Sequence, residues 1–182
     1  MRFLLHIARG LVSGPGKTDN VLAHTYRSRA GLFDIDVNLH LNNASLILQT
    51  EFARWNWMAQ NGLLVHAVKN RWVFLAASQA VRYRHEVFAF HRMEIKTTIA
   101  AVDEDWIWVR HCVWSRQKLC AQSLLRVKIK QGRRTVSPTE FFSAAKQDMG
   151  IDLQELNPNN SKEIQAYLLW DAECALDMKR QQ

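Results

Sequence analysis

Residues 44–60 constrain the fold more than any other part of this chain. Ala44 to Gln60 contains neither glycine nor proline, and Asn61-Gly62 closes it as a helix stop. At about 100° per residue, Gln49, Asn56 and Gln60 fall on one narrow polar stripe. Leu46, Ile47, Leu48, Phe52, Ala53, Trp55, Trp57 and Met58 fill the rest. A helix apolar over most of its circumference must be enclosed by other elements. Glu51 and Arg54 interrupt its apolar side three residues apart, where they can pair, and burying either alone would be costly.

The enclosing element follows directly. Trp72 to Tyr83, Met93 to Val102, Trp106 to Ser115 and Lys118 to Lys130 are rich in β-branched and aromatic residues. Asp103-Glu104-Asp105 and Arg116-Gln117 are short polar connections, so the last three strands form an antiparallel meander. In the last of them Leu119, Ala121, Ser123, Leu125, Val127 and Ile129 alternate with Gln122, Arg126, Lys128 and Lys130. Val21 to Phe33, mixing Val, Leu, Tyr and Phe with polar residues, reads as another strand. The order strand, polar loop, buried helix, strands describes an α+β architecture in which an antiparallel sheet wraps one helix.

The ends carry less. Ser13-Gly14-Pro15-Gly16 terminates an N-terminal amphipathic segment over residues 1–16, expected as a short helix docked on the domain. The domain itself spans residues 17–138. Ser137-Pro138-Thr139-Glu140 is a capping box that opens a helix to about Lys146, within a helical extension over 139–182. Asn160 with Glu163 is expected to cap a last helix to about Asp177, with Ile164, Leu168, Ala172, Ala175 and Leu176 as its stripe.

Composition narrows the partners. A net charge of +7 favours anions in general, from nucleic acid to phosphorylated cofactors. No nucleic-acid motif accompanies it, so nucleic acid is not an expected partner. Cys112, Cys120 and Cys174 show no CxxC and no Cys/His ligand spacing, which points to a reducing, cytoplasmic setting and to no metal centre. The first apolar run, broken by Arg2, His6 and Arg9, is too short for a membrane span, and membrane association is not expected.

The chemistry is concentrated in Asp34-Ile35-Asp36-Val37-Asn38-Leu39-His40-Leu41-Asn42-Asn43. Polar and apolar residues alternate almost strictly, which would hold Asp36, Asn38 and His40 on one side of an extended segment. Capping of the following helix accounts for Asn42 or Asn43 but not for the other three.

The run Asp34-x-Asp36-x-Asn38-x-His40-x-Asn42-Asn43 resembles the signature loop of hotdog-fold acyl thioesterases. It is especially similar to plant acyl-ACP thioesterases, and more loosely to the bacterial 4-hydroxybenzoyl-CoA type. Glu51 with Arg54, the Arg82-Tyr83 strand end and the long hairpin from Trp106 to Lys130 also fit, so the resemblance covers roughly residues 20–138. Leu39 departs from the glycine common in bacterial relatives, and Leu46 from a frequent tyrosine. The resemblance implies a sheet curled around the 44–60 helix, an acyl-CoA or acyl-ACP substrate, and a homodimer or dimer of dimers with sites between subunits. The plant enzymes carry two hotdog repeats, and a second copy would have to supply the other here.

Thioester hydrolysis needs an activated water or a carboxylate nucleophile, together with donors for the oxyanion. By the resemblance, Asp36 is the carboxylate, acting as nucleophile or as general base. His40 can carry a proton, since imidazole titrates near neutrality, and Asn38 can orient a reacting group through its amide. The helix start at Asn42 and Asn43 offers backbone N–H groups and a positive dipole end. Glu51 is the alternative carboxylate. Arg82, Arg84, Arg126 and Lys128 are candidates for CoA phosphates or an acidic carrier surface. No cofactor is required. The competing function is a non-catalytic acyl-thioester-binding protein that keeps the pocket alone.

Overall fold

The computed structural model describes residues 23–144 and 155–180. The N-terminal amphipathic segment and the expected end of the 138–146 helix lie outside the described residues. The elements are β1 (Ala23–Arg29), α1 (Asn43–Gln60), α2 (Leu63–Lys69), β2 (Val73–Tyr83), β3 (Arg92–Val102), β4 (Trp106–Ser115), β5 (Lys118–Gln131), β6 (Arg134–Val136), α3 (Pro138–Ser143) and α4 (Lys162–Arg180). The strands form one antiparallel sheet in the order β1-β3-β4-β5-β2, with β6 added to the end of β5. The sheet curls around α1, as the sequence pattern predicts.

β3, β4 and β5 match their expected spans to within a residue or so. On β5 the expected alternation holds: Ala121, Ser123, Leu125, Val127 and Ile129 are buried against the α1 side. Ser137 caps α3 as expected, its hydroxyl accepting the Glu140 N–H at 3.1 Å.

Several expectations are corrected. β1 stops at Arg29, because Gly31 and the buried Asp34 carboxylate, 2.9 Å from the Gly31 N–H, turn the chain into a 3-10 turn at Leu32–Asp34. α2 follows α1 almost at once, since Gly62 takes a left-handed φ of 75° and lets a new helix start. The last helix starts after Ser161, whose hydroxyl accepts the Ile164 N–H, while Asn160 ends a separate 3-10 turn. α4 buries Ile164 and Tyr167; Ala172, Ala175 and Leu176 are exposed.

The structure sets the orientation of α1. Its polar stripe faces the sheet: Gln49 is 2% and Asn56 5% exposed, while Ile47 and Leu48 point outward. The sheet supplies the reason. His24, Thr97, His111 and Ser123 stand opposite one another on β1, β3, β4 and β5, forming one polar row under the helix. His24 Nε2 lies 2.9 Å from Asn56 Oδ1, and His111 Nδ1 lies 3.0 Å from Thr97 Oγ1. Apolar clusters flank the row. Ile99, Val109 and Ile129 pack with Trp57 and Met58 on one side, and Ile95, Val113 and Ala121 with Phe52 and Leu46 on the other. Each large side chain so buried contributes about 1.5–3 kcal/mol.

α4 covers part of the outer sheet face. Ile164 and Tyr167 pack on Ala101, Trp108 and Leu124. Tyr167 donates to Ser78 Oγ at 2.7 Å, and Asp171 pairs with Arg126 at 2.6 Å. β1 and β2 are the sheet edges. β2 is mostly exposed along its eleven residues, including Val73, Leu75 and Tyr83.

Candidate active site

The polar block between β1 and α1 folds as a tight hairpin. The Leu39 N–H donates to Asp36 O at 3.0 Å, and the Asp36 N–H to His40 O at 2.8 Å. Bridges Ile35–Leu41 and His40–Phe88 fix its base. The expected extended alternation of Asp36, Asn38 and His40 is therefore corrected. Val37 and Asn38 form an exposed tip, while Asp36 and His40 below it are half-buried and line one pocket. The cause is local. Asp36 Oδ1 accepts the Asn38 N–H at 2.8 Å and the His40 N–H at 3.4 Å, so the carboxylate itself nucleates the turn. Leu39 sits at φ 60°, the left-handed conformation that glycine accepts without strain.

Asp36, His40, Asn43 and Leu46 line one side of a pocket of about 280 Å³, and residues 83–87 line the other. The His40 ring packs edge-on to Phe88, with centroids 4.7 Å apart. Among the described residues, Asp36 Oδ2 takes no hydrogen bond, which leaves it available to a ligand. Asn42 is the N-cap of α1 and its Oδ1 accepts the Ala44 N–H at 2.8 Å, so its side chain serves the helix. Asn43 is the first helical residue and faces the pocket. The positive end of α1 thus opens beside the Asp36–His40 pair.

Other candidates separate. Asn38 is outside the pocket lining. Glu51 is also outside it, with one oxygen paired to Arg54 and the other accepting the Trp55 Nε1–H at 2.6 Å. Arg84 lies on the pocket wall, while Arg82, opposite Gln122 in the β2–β5 register, lines both the adjoining groove that shares Tyr83 and Arg84 and the outer groove beside α4. Arg126 and Lys128 are corrected out of this set. The pleat of β5 sends them to the outer face, where Arg126 pairs with Asp171 and stacks 4.0 Å from the Trp106 ring. Lys128 pairs with Asp105 at 2.6 Å.

The sequence reasoning missed the second wall, Tyr83, His85 and Glu86. Its signal was the polar run Arg82–Glu86 directly after a strand, where a sheet end becomes a loop. A roomier groove of about 440 Å³ lies between β2 and α4, lined by Ala80, Leu124, Tyr167 and Trp170. Its single carboxylate, Glu163, bonds to Arg110 and Gln122, and it contains no imidazole. Acid–base chemistry therefore fits the smaller pocket. Among the described residues, no grouping of three His, Cys, Asp or Glu side chains could hold a metal ion, and no helix is long and apolar enough to cross a membrane.

Comparison with known proteins agrees with this fold. Residues 31–145 match the thioesterase-like superfamily, and the chain belongs to it. A probable thioesterase of Saccharomyces cerevisiae is 24% identical over 114 residues, covering 61% of this chain and 50% of that protein. The chain spans about half the length of the curated relatives it matches. Among solved structures, the SAV2348 protein of Staphylococcus aureus in complex with CoA aligns at TM-score 0.63 and 14% identity, covering 75% of this chain and 86% of that one. A 1,4-dihydroxy-2-naphthoyl-CoA thioesterase from Synechocystis aligns at TM-score 0.60 and 12% identity, covering 67% and 94%. Both are similar in fold: a curled antiparallel sheet around a central helix.

Proposed function

We propose that this protein hydrolyses acyl thioesters of CoA, with Asp36 as the reacting carboxylate. The observation that carries the reading is that Asp36 and His40 line one pocket together, beside the start of α1. The thioester carbonyl would lie between Asp36 and the helix end, where backbone N–H groups and the helix dipole favour an oxyanion. Asp36 takes a proton from water as the water oxygen bonds the carbonyl carbon; the C–S bond then breaks, and the leaving sulfur gains its proton from His40 or solvent. If Asp36 attacks directly, a mixed anhydride forms first, and water cleaves it in a second step. Single turnover in ¹⁸O water separates these routes, since only direct attack and anhydride cleavage can leave label in Asp36.

Arg84 and Arg82, exposed and free of side-chain ion pairs among the described residues, would meet the CoA phosphates in this reading. The open edge of β2 supports a homodimer formed by antiparallel pairing of two copies, which would extend the sheet across both. Acyl-ACP is the competing carrier, tested by comparing both as substrates.

Thiol release from a panel of acyl-CoAs, with the Asp36→Asn variant alongside, tests the assignment. Turnover that falls at least about a hundredfold in a folded variant supports it. Undiminished turnover in Asp36→Asn refutes the role of Asp36. Absence of turnover with retained acyl-CoA binding would mark the chain as a thioester-binding protein.

A further inference from the structure

The polar row beneath α1 contains three buried side-chain atoms without hydrogen-bond partners among the described residues: Gln49 Oε1, His111 Nε2 and Ser123 Oγ. All three residues are at most 2% exposed. Ser123 and His111 are direct cross-strand neighbours, and Gln49 projects from α1 toward the sheet. Burial of such groups without partners costs stability, so a fold rarely leaves three in one polar layer unless something polar meets them.

The row stands in a defined relation to the candidate active site. Leu46 is a wall of the pocket, and Gln49 is one helical turn further along the same helix. On the sheet, Tyr83 lines the pocket and pairs with Ala121; two residues deeper, Val81 pairs with Ser123. Helix and strand therefore give consistent depths, about 5 Å and about 7 Å beyond the pocket wall. Ala121, Val113 and Phe52, all apolar, belong to the same buried cluster as the pocket residue Leu46. An acyl group entering past Leu46 would cross a short apolar stretch and then meet polar side chains.

We propose that Gln49, His111 and Ser123 form the floor of the acyl site. They limit the acyl chain to a short span and favour one whose far end carries a hydroxyl. The proposal rests on the thioesterase reading for the route of entry. The donor–acceptor inventory fits a hydroxyl in particular: Gln49 Oε1 accepts, Ser123 both donates and accepts, and the neutral His111 ring offers one or the other. A methyl terminus reaching the floor would leave all three unpaired, and sites of this kind discriminate strongly against such analogues.

The test compares the native protein with the double variant Gln49→Leu, Ser123→Ala. Straight-chain acyl-CoAs from acetyl to palmitoyl and their ω-hydroxy counterparts are assayed by kcat/KM. Binding of the corresponding non-hydrolysable thioethers is measured by calorimetry. In the native protein, preference should drop about tenfold or more once a plain chain reaches the floor, with the ω-hydroxy chain of that length favoured by a similar factor. The double variant, shown folded by its melting transition, should accept longer plain chains and lose the hydroxyl preference. Identical length profiles in the two proteins overturn the proposal, whether read by turnover or by binding. A floor effect seen in binding without any turnover keeps the proposal and removes the hydrolase reading. Failure of every thioether to bind overturns both.

Discussion

Acidification should expose the cost of the polar row through His111. The ring is fully buried, and burial, assisted by the nearby Arg54 guanidinium, pushes its pKa from 6.5 down to about 3. The unfolded chain therefore takes up a proton that the folded chain refuses. Stability from the neutral ring is complete above pH 6.5, declines as pH falls through that value, and is fully lost only near pH 3. At about 1.4 kcal/mol per pH unit, the gap between 6.5 and about 3 amounts to about 5 kcal/mol. A domain of this size has a total of about 5–15 kcal/mol, so one histidine can decide acid unfolding. His24, also lowered mainly by burial, acts in the same direction. The perturbation is His111→Gln, which keeps a neutral hydrogen-bonding group opposite Thr97. Urea unfolding followed by tryptophan fluorescence, from about pH 7.5 to about pH 4.5, gives the comparison. The variant should lose about 1–2 kcal/mol at the upper end but regain about 3 kcal/mol relative to the native protein at the lower end, so the curves cross. Parallel curves would refute a neutral, buried His111.

Other outcomes follow from single contacts. Leu39→Gly should raise stability by about 1 kcal/mol in thermal melts, because Leu39 is exposed and left-handed; a loss would mean its side chain packs in the working assembly. Glu51→Gln should lower stability by about 1–3 kcal/mol, by disturbing the Arg54 and Trp55 contacts, and leave thioester turnover intact; lost turnover in a folded variant would move the chemistry to α1. Ser137→Ala should cost about 1 kcal/mol in urea unfolding through the lost cap on Glu140.

The fold was legible where local pattern and tertiary demand coincide. β3 to β5 alternate because one face meets α1, and the turn residues between them set the register. The direction of the polar stripe of α1 was not legible, because periodicity identifies a face without saying which way it points. Only the pairing of His24, Thr97, His111 and Ser123 across four strands shows that the sheet offers a polar partner. In the site, Asp36 and His40 do come together, but through a turn that the alternation concealed. Spacing could not distinguish a strand from an Asp-nucleated hairpin, because both place polar residues at every second position. Arg126 and Lys128 were selected by charge, and the pleat of β5 turned both to the outer face, where Arg126 meets Asp171 of α4 and Lys128 meets Asp105 of the β3–β4 turn.

The position of α4 has an architectural consequence. It lies on the outer face of the sheet, anchored by Ile164 and Tyr167 and by the Arg126–Asp171 pair. Two such sheets could not stack back to back over the ground that α4 covers without displacing that helix from both. Among the described residues, the side of α1 that exposes Ile47 and Leu48 has no such cover. If copies of this chain assemble, α4 would act as a spacer on the outer face and restrict the symmetries open to them.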